Sequence, residues 1–214
     1  ARFSYAQVQT AMDGTPDEAT APLLEDVIKP LYGAYASICV AREARQPLAL
    51  DLPELSVSLG KDGRVSHVAP RARLDAHKLV EEFMIAANVA AAETLEKKRS
   101  PCMYRVHDTP ADDKVTSLRE FLETLDYKLA KGQAIKPRHY NAILASVKGT
   151  AHEPLVNTVV LRSQSQAVYS PDNLGHFGLA LQRYAHFTSP IRRYADLMVH
   201  RGLIASLGLG EDGL

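Results

Sequence analysis

The sequence has few cysteines, no net charge and no long apolar run, and each of these limits what the protein can be. Its two cysteines, Cys39 and Cys102, lie far apart without metal-ligand spacing, which favours reduced thiols packed in a core over a disulfide framework. Lys and Arg together number 25, as do Asp and Glu, so the chain has no overall field that would attract nucleic acid or a membrane. Any basic binding site must therefore be local.

No apolar run reaches the roughly 18 residues that a membrane-spanning helix requires, and no charged segment followed by an apolar one opens the chain. The sequence thus predicts a cytoplasmic protein without a membrane partner, and we expect a monomer. With 46% hydrophobic residues, the chain can bury one substantial core. It begins with Ala1 rather than Met, so we expect one partial domain over residues 1–214, truncated at both ends.

Hydrophobic periodicity predicts helices separated by short strands. Ser4 and Gln7 have the spacing of a capping box, which indicates a helix from there to Asp13. The turn residues at 60–63, between two alternating segments, predict a β-hairpin. The whole is typical of an α+β class fold with helices packed around a mainly antiparallel sheet. We predict further helices over residues 19–45 (with a kink or break at Pro30), 74–99, 112–125, 137–147, 153–162 and 190–207, hairpin strands over 55–59 and 64–68, and strands over 103–106 and 175–181.

The long predicted helix over residues 74–99 is the expected centre of the core. It is rich in Ala, Leu, Glu and Lys, which favour helix formation. Its expected core face, at helical spacing, consists of Leu79, Phe83, Ala86, Ala87 and Ala90.

The segment over residues 175–201 carries the strongest functional signal. Ser189 is predicted to cap the last helix and Pro190 to take its first position, which puts Arg192 and Arg193 in the first turn. Cations at the positive end of a helix dipole cost up to about 1 kcal/mol each unless an anion compensates. The arrangement therefore indicates a site for an anion such as phosphate, close to free backbone amides.

Positive charge is concentrated in this segment. Residues 181–201 contain four arginines and a single acid, Asp196, which is spaced to pair with Arg192 or Arg193 along a helix. His186 is expected to add local positive character, and the planar guanidinium suits phosphate oxygens. The alternative is that both arginines are surface residues paired with nearby acids.

The stretch HFTSPIRRYADLMVHR, residues 186–201, closely resembles the signature of the RNase R and RNase II family of hydrolytic 3′-to-5′ exoribonucleases. The resemblance continues in GHFGLAL just before it, in LVEEFMIAAN at residues 79–88 and in ARFSYAQV at the start, so it spans essentially the whole chain. The bacterial RNase R branch is the most similar, through HFTSPIRRYADL and DAHKLVEE. The resemblance implies an enzyme of RNA degradation that binds single-stranded RNA and requires Mg²⁺.

By this resemblance, Arg192 is the arginine that contacts the scissile phosphate and stabilises the charge building on it during hydrolysis. Arg193 is expected to pair with Asp196 or another acid, and Ser189 to serve first as a helix cap. RNA contact is the second expected role of both residues. His186 is a further candidate for substrate binding.

Two other positions match the residues with which the family recognises ribose. Tyr5 and Glu81 correspond to the pair that recognises the 2′-hydroxyl and favours RNA over DNA. Without the resemblance, Glu81 would be interpreted as a solvated helix residue and Tyr5 as a half-buried aromatic. Leu50 departs from the family, which often has a phenylalanine near there that stacks on an RNA base. The substitution removes about 1 to 3 kcal/mol of stacking.

The aspartate cluster with which the family holds Mg²⁺ does not occur in this sequence, so we predict no metal ligands in the chain. In the family these aspartates lie upstream of the position of Ala1, which favours truncation of an enzyme over its decay. The adjacent pair Asp112 and Asp113 is expected to complement a helix dipole instead. Two alternatives remain, namely a non-catalytic RNA-binding or scaffolding derivative and a plain α+β interaction domain.

We therefore predict that the 214-residue chain alone leaves RNA intact, because two-metal hydrolysis requires carboxylates that it lacks. The measurement is gel electrophoresis of end-labelled single-stranded RNA incubated with the chain and Mg²⁺. Clean shortening to small end products would contradict the prediction.

Overall fold

Helices and short antiparallel strands make up the regular structure of the chain, and the predicted α+β class is confirmed. The computed structural model describes residues 2–50, 52, 55–70, 72–130, 134–211 and 213. Within them lie α1 (Tyr5–Met12), α2 (Lys29–Arg45), β1 (Leu55–Leu59), β2 (Val65–Pro70), α3 (Asp75–Lys97), β3 (Tyr104–Val106), α4 (Asp112–Glu123), α5 (Pro137–Val147), α6 (Glu153–Ser163), β4 (Val168–Ser170) and α7 (Tyr194–Leu207).

The chain forms two compact units, and the first consists of residues 1–40 and 51–83. Its α1 begins with the predicted capping box, in which the Ser4 hydroxyl accepts from the Gln7 amide at 3.2 Å and Gln7 Oε1 accepts from the Ser4 amide at 2.9 Å. The amide of Ala76 donates to Gln9 Oε1 at 3.1 Å, which ties α1 to the start of α3. The start of α3 is thereby fixed against α1.

The helical segment before α2 changes its winding at the predicted break. It passes from a 3₁₀ turn, Ala21–Leu23, through a π-helical turn, Leu24–Ile28, into α2, where Pro30 is the second residue. Proline has no amide hydrogen to donate and fits the first turn of a helix, so the irregularity lies just before it.

The predicted hairpin is confirmed, with β1 antiparallel to β2 and Val57 opposite Val68. One irregularity interrupts the register between Ser58 and Leu59. The apolar side chains of this hairpin are largely exposed.

The second unit, residues 41–50 and 84–214, contains two apolar clusters. One joins α4, α5 and α6 around Leu122, Tyr140 and Val160, and partly buried Leu50 packs against it. The other joins the second half of α3 to β3 and α7 around Leu95 and Val199. Cys102 belongs to this second cluster, and burial raises the pKa of its thiol to about 12. Both cysteines are free, as expected, although Cys39 is only half-buried.

The predicted core face of α3 is wrong in its second half. Ala86 and Ala90 are exposed, whereas Ala91, Ala92 and the polar Asn88 are buried. Asn88 lies inside because both ends of its amide are hydrogen-bonded there, so the buried face of the helix cannot be recognised from apolar residues alone.

The predicted strand over residues 175–181 is also wrong. His176 and Leu181 form isolated bridges around a turn, and Gly175 and Ala180 have positive φ angles of 73° and 51°. These angles are incompatible with an extended strand. The partner of β3 is instead β4, with Arg105 directly opposite Tyr169.

Candidate functional site

The arginines of the SPIRR sequence lie in a turn before the last helix rather than in its first turn. Helix α7 begins at Tyr194, and Arg193 is the residue that precedes it, with an extended backbone (φ −130°, ψ 116°). The carbonyl of Ser189 accepts from the amides of Arg192 and Arg193 at 3.3 and 3.1 Å, which closes the turn. Ser189 is therefore not the helix cap, and that prediction is wrong. The term "SPIRR turn" is used below for residues 189–193.

A buried carboxylate holds the SPIRR turn in place. Asp196 has no exposed surface. Its Oδ1 accepts from the Ser189 amide and from Arg193 Nη2, and its Oδ2 accepts from Arg193 Nε, each at 2.8 Å. The predicted ion pair between Arg193 and Asp196 is thus confirmed, and its geometry is bidentate. Asp196 connects both ends of the turn to α7.

Ionisation of Asp196 is favoured although the group is buried. Burial by itself raises the pKa of this carboxyl, but the hydrogen bonds from Arg193 and the Ser189 amide, together with the charge of Arg193, outweigh it and leave the pKa below its usual value. Asp196 is therefore charged at neutral pH, and it neutralises Arg193.

Arg192 differs from Arg193 in having no acidic partner. Its side chain is exposed, and among the described residues it makes no ion pair or side-chain hydrogen bond. The preceding Ile191 is fully exposed as well, so the tip of the SPIRR turn projects into solvent. The alternative of two arginines paired with nearby acids therefore holds for Arg193 and fails for Arg192.

His186 lies beside these arginines and is neutral. Its Nδ1 lies 2.8 Å from the hydroxyl oxygen of Tyr169. Burial lowers the pKa of His186 to about 4, and the positive charges of Arg193, Arg105 and Arg192 contribute to this, while Asp196 opposes it. The expectation that His186 adds positive charge is therefore wrong at neutral pH.

The backbone before the SPIRR turn is held by elements on several sides. Asn88 of α3 donates to the Tyr184 hydroxyl at 3.0 Å and accepts from the Phe187 amide at 2.8 Å. His200 of α7 stacks on the Phe187 ring, and its Nε2 lies 2.8 Å from the Phe187 carbonyl oxygen. The amide of Arg105 in β3 donates to the Tyr184 carbonyl at 2.8 Å. These contacts hold in place the backbone that leads into the SPIRR turn.

Sequence reasoning missed Arg105 and Tyr169 as members of this site. The guanidinium carbon of Arg105 lies 4.8 Å from the centre of the Tyr169 ring, and the Tyr169 hydroxyl meets His186. Arg105 lies in a predicted strand, but β4 is too short for its pattern to predict one. Nothing in the sequence therefore indicates that Arg105 and Tyr169 meet.

Tyr5 and Glu81 are brought together within the first unit. The Tyr5 ring, 45% exposed, stacks on the ring of His77 with centroids 4.2 Å apart. His77 lies one helical turn before Glu81 on α3, and Glu81 forms an ion pair with Arg73. Tyr5 also lines an apolar cleft of about 260 Å³. Both predicted ribose-reading side chains are thus accessible on the surface of this unit.

No group of three or more His, Cys, Asp or Glu that could hold a metal ion occurs in the part of the chain that the structure describes. Asp112 and Asp113 are exposed in the first turn of α4, where they complement its dipole. Within the same described ranges, no helix is long and apolar enough to cross a membrane.

The fold and the SPIRR turn agree with one family. The model of the RNB domain matches residues 1–208, and the chain belongs to the RNB domain family. Among curated proteins, ribonuclease R of Escherichia coli K12 is 41% identical over 205 residues, covering 95% of this chain and 25% of the relative. Ribonuclease R of Aquifex aeolicus is 39% identical over 208 residues, covering 97% of this chain and 30% of the relative.

A solved structure shows the same fold. The RNase R of Mycoplasma genitalium, in complex with ribose-methylated single-stranded RNA, has a TM-score of 0.86 and 26% identity, covering 99% of this chain and 34% of that one. The chain thus spans a quarter to a third of the length of these relatives. The resemblance found in the sequence is confirmed.

We predict that Asp196→Asn destabilises the protein by about 2 to 4 kcal/mol at pH 7, since it leaves Arg193 without its buried counter-charge. The pKa of Asp196 is lower in the folded state, so its contribution is present above its unfolded value of 3.8 and is lost as the pH falls through the lower folded value. The difference between the two proteins should therefore shrink below about pH 4.

The measurement is urea unfolding at several pH values between 7 and 3. Asp112→Asn, which removes an exposed carboxylate, is the control and should change the free energy of unfolding by less than about 1 kcal/mol. An equal loss of stability for Asp196→Asn at pH 7 and pH 3 would contradict the pairing.

Proposed function

We propose that this chain is part of the catalytic domain of a 3′-to-5′ exoribonuclease that hydrolyses single-stranded RNA, and that it supplies residues that grip RNA. The observation that carries the proposal is the contrast within the SPIRR turn. Arg193 is neutralised by buried Asp196, while Arg192 is exposed and has no acidic partner among the described residues. The RNB family and its ribonuclease R relatives support the same function.

The chemistry of phosphodiester hydrolysis explains why an arginine suits this position. Attack on phosphorus increases the negative charge on the non-bridging oxygens, and a guanidinium can donate two parallel N–H groups to them. A donor that is already in place costs no reorganisation during the reaction. Asp196 keeps the turn fixed through Arg193 and the Ser189 amide, so Arg192 starts from a defined backbone position.

The other candidate residues are proposed either to hold the SPIRR turn in place or to contact RNA. Arg193 and the Ser189 backbone are engaged by Asp196, so we assign them first to holding the turn, with RNA contact by either as a further prediction. His186 is neutral, so it adds no positive charge to that of Arg192, and it can contact RNA by hydrogen bonding.

Tyr5 and Glu81 are proposed to recognise ribose. A carboxylate accepts a hydrogen bond from a 2′-hydroxyl, and a phenol can donate to it or pack on the sugar. The ion pair with Arg73 orients the Glu81 carboxylate, and stacking on His77 fixes the Tyr5 ring. Both contacts prepare the pair to distinguish RNA from DNA.

The described residues do not fit a magnesium centre, so no step is assigned to a metal. We also propose that the reaction requires Mg²⁺. The ligands of this metal are expected in the parts of the longer relatives that this chain does not match. The Mycoplasma RNase R, solved in complex with single-stranded RNA, supports such RNA as a partner of this chain. A cytoplasmic location and a monomeric state remain predictions of the sequence.

We predict that the chain binds labelled oligouridylate and that Arg192→Ala weakens binding by about tenfold. A lost phosphate contact also reduces the slope of log affinity against log salt by about 0.7 for a single strand. Fluorescence anisotropy over a salt series, with EDTA present, measures both quantities.

Arg162→Ala is the matched control, because Arg162 is an exposed arginine at the end of α6, and Arg192→Lys should keep the slope while losing affinity. Equal effects of Arg192→Ala and Arg162→Ala would rule out a dedicated phosphate site. The non-catalytic alternative would be favoured by binding in EDTA together with an absence of hydrolysis when the chain is joined to the segments of its longer relatives that it does not match and Mg²⁺ is added.

A second prediction concerns sugar recognition. Glu81→Ala should reduce the ratio of RNA affinity to DNA affinity by about fivefold, since it removes an acceptor for the 2′-hydroxyl, which RNA has and DNA lacks. Affinities for oligouridylate and oligodeoxyuridylate are compared for Glu81→Ala and for Glu120→Ala, an exposed glutamate of α4. If both variants change the two affinities in parallel, Glu81 does not recognise ribose.

A further inference from the structure

A second arginine that pairs with no acid among the described residues lies close to the SPIRR turn. Arg105 occupies the middle of β3, directly opposite Tyr169 in β4. Its guanidinium carbon lies 4.8 Å from the centre of the Tyr169 ring, which is the geometry of a cation–π contact. The cross-strand pairing thus holds the guanidinium against an aromatic face.

No described residue neutralises the charge of Arg105 by an ion pair. The backbone amide of Arg105 is used by the Tyr184 carbonyl, but among the described residues its side chain has neither an ion pair nor a hydrogen bond. Arg105 is also only partly exposed, so its guanidinium is less well hydrated than that of a free surface arginine. An arginine whose guanidinium lies over a ring can still donate N–H groups to an anion in a bidentate contact.

Arg105 and Arg192 both act electrostatically on the same histidine, His186. Tyr169 connects Arg105 to His186 through the 2.8 Å contact of its hydroxyl. Arg193, Arg105 and Arg192 all act electrostatically on His186, and they contribute to the lowered pKa of its ring. Asp196 neutralises Arg193, so Arg105 and Arg192, which have no ion pair among the residues that the structure describes, supply positive charge near a neutral histidine.

We propose that Arg105, positioned by Tyr169, binds a second phosphodiester group of the RNA strand whose neighbouring phosphate lies at Arg192. The inference rests on the proposed function and deepens it, since it adds a phosphate subsite that the SPIRR sequence does not contain. A polynucleotide fits better than a single small anion, because it presents repeated phosphates to two arginines on separate elements, β3 and the SPIRR turn. The contact is to the backbone and therefore carries no preference for base or sugar.

Salt-dependent binding of the whole chain to oligouridylate tests the inference. Arg105→Gln should weaken binding by about fivefold to tenfold and reduce the salt slope by about 0.7, and the double variant with Arg192→Gln should reduce the slope by about 1.4. Arg105→Gln should weaken binding to oligodeoxyuridylate by the same factor, unlike Glu81→Ala. Arg162→Gln is the control and should leave both quantities unchanged.

Two variants test the role of the ring. Tyr169→Phe keeps the aromatic face and should retain the wild-type salt slope, whereas Tyr169→Leu removes the face and should weaken binding by about threefold. Arg105→Lys is the conservative variant that separates loss of the contact from misfolding. It should keep the salt slope, because the charge remains, and it should lose affinity, because lysine lacks the planar guanidinium. Thermal unfolding of each variant shows that the fold is intact.

The outcomes separate the two proposals. If the wild-type chain does not bind RNA, or if Arg192→Gln behaves like the control, the proposed function fails and this inference fails with it. If Arg192→Gln reduces the slope but Arg105→Gln does not, the second phosphate subsite alone is overturned. If Arg105→Gln affects RNA and not DNA, the contact is not to the phosphate backbone, and the inference is overturned as well.

Discussion

The buried carboxylate of Asp196 determines the geometry on which the candidate site depends. It accepts three hydrogen bonds, two from Arg193 and one from the Ser189 amide, and it lies on the first turn of α7. A buried charge is tolerated only when it is paired and hydrogen-bonded, so the carboxylate and the turn require each other. The two adjacent arginines therefore differ. Arg193 anchors the turn, whereas the side chain of Arg192 is exposed to solvent.

This difference between Arg192 and Arg193 explains an apparent conflict in the sequence. Two arginines at a helix start are unfavourable on dipole grounds, and the sequence alone predicted that both oppose the dipole of α7. In the structure, neither lies in the helix, and the first turn contains Asp196 instead, which suits the positive end of a helix. The anion site inferred from the sequence stays a prediction, and the positive charge proposed for it lies on side chains of a turn rather than on free helix amides.

Local patterns allowed most elements to be predicted, and long-range contacts account for the errors. The capping box at Ser4 and the helix Pro137–Val147 follow from residues that are neighbours in sequence. The start of α7 depends on Ser189 bonding to Asp196 seven residues away, and the buried face of α3 depends on Asn88 bonding to Tyr184 and Phe187. In both cases a polar residue is buried because of a partner that no periodicity reveals.

The residues of the candidate site show the same limit of prediction from local sequence patterns. Arg192, Tyr5 and Glu81 could be named because a family motif includes them, whereas Arg105 and Tyr169 come together only through the pairing of two three-residue strands. The sequence predicted a strand at β3, but β4 is too short to show alternation, so the pairing of Arg105 with Tyr169 carries no signal in the sequence. Yet the pairing puts the Arg105 guanidinium, which has no ion pair in the described part of the chain, over the Tyr169 ring and brings the Tyr169 hydroxyl to His186, near the SPIRR turn. The electrostatic character of the site is therefore a property of the tertiary fold, and a motif describes only part of it.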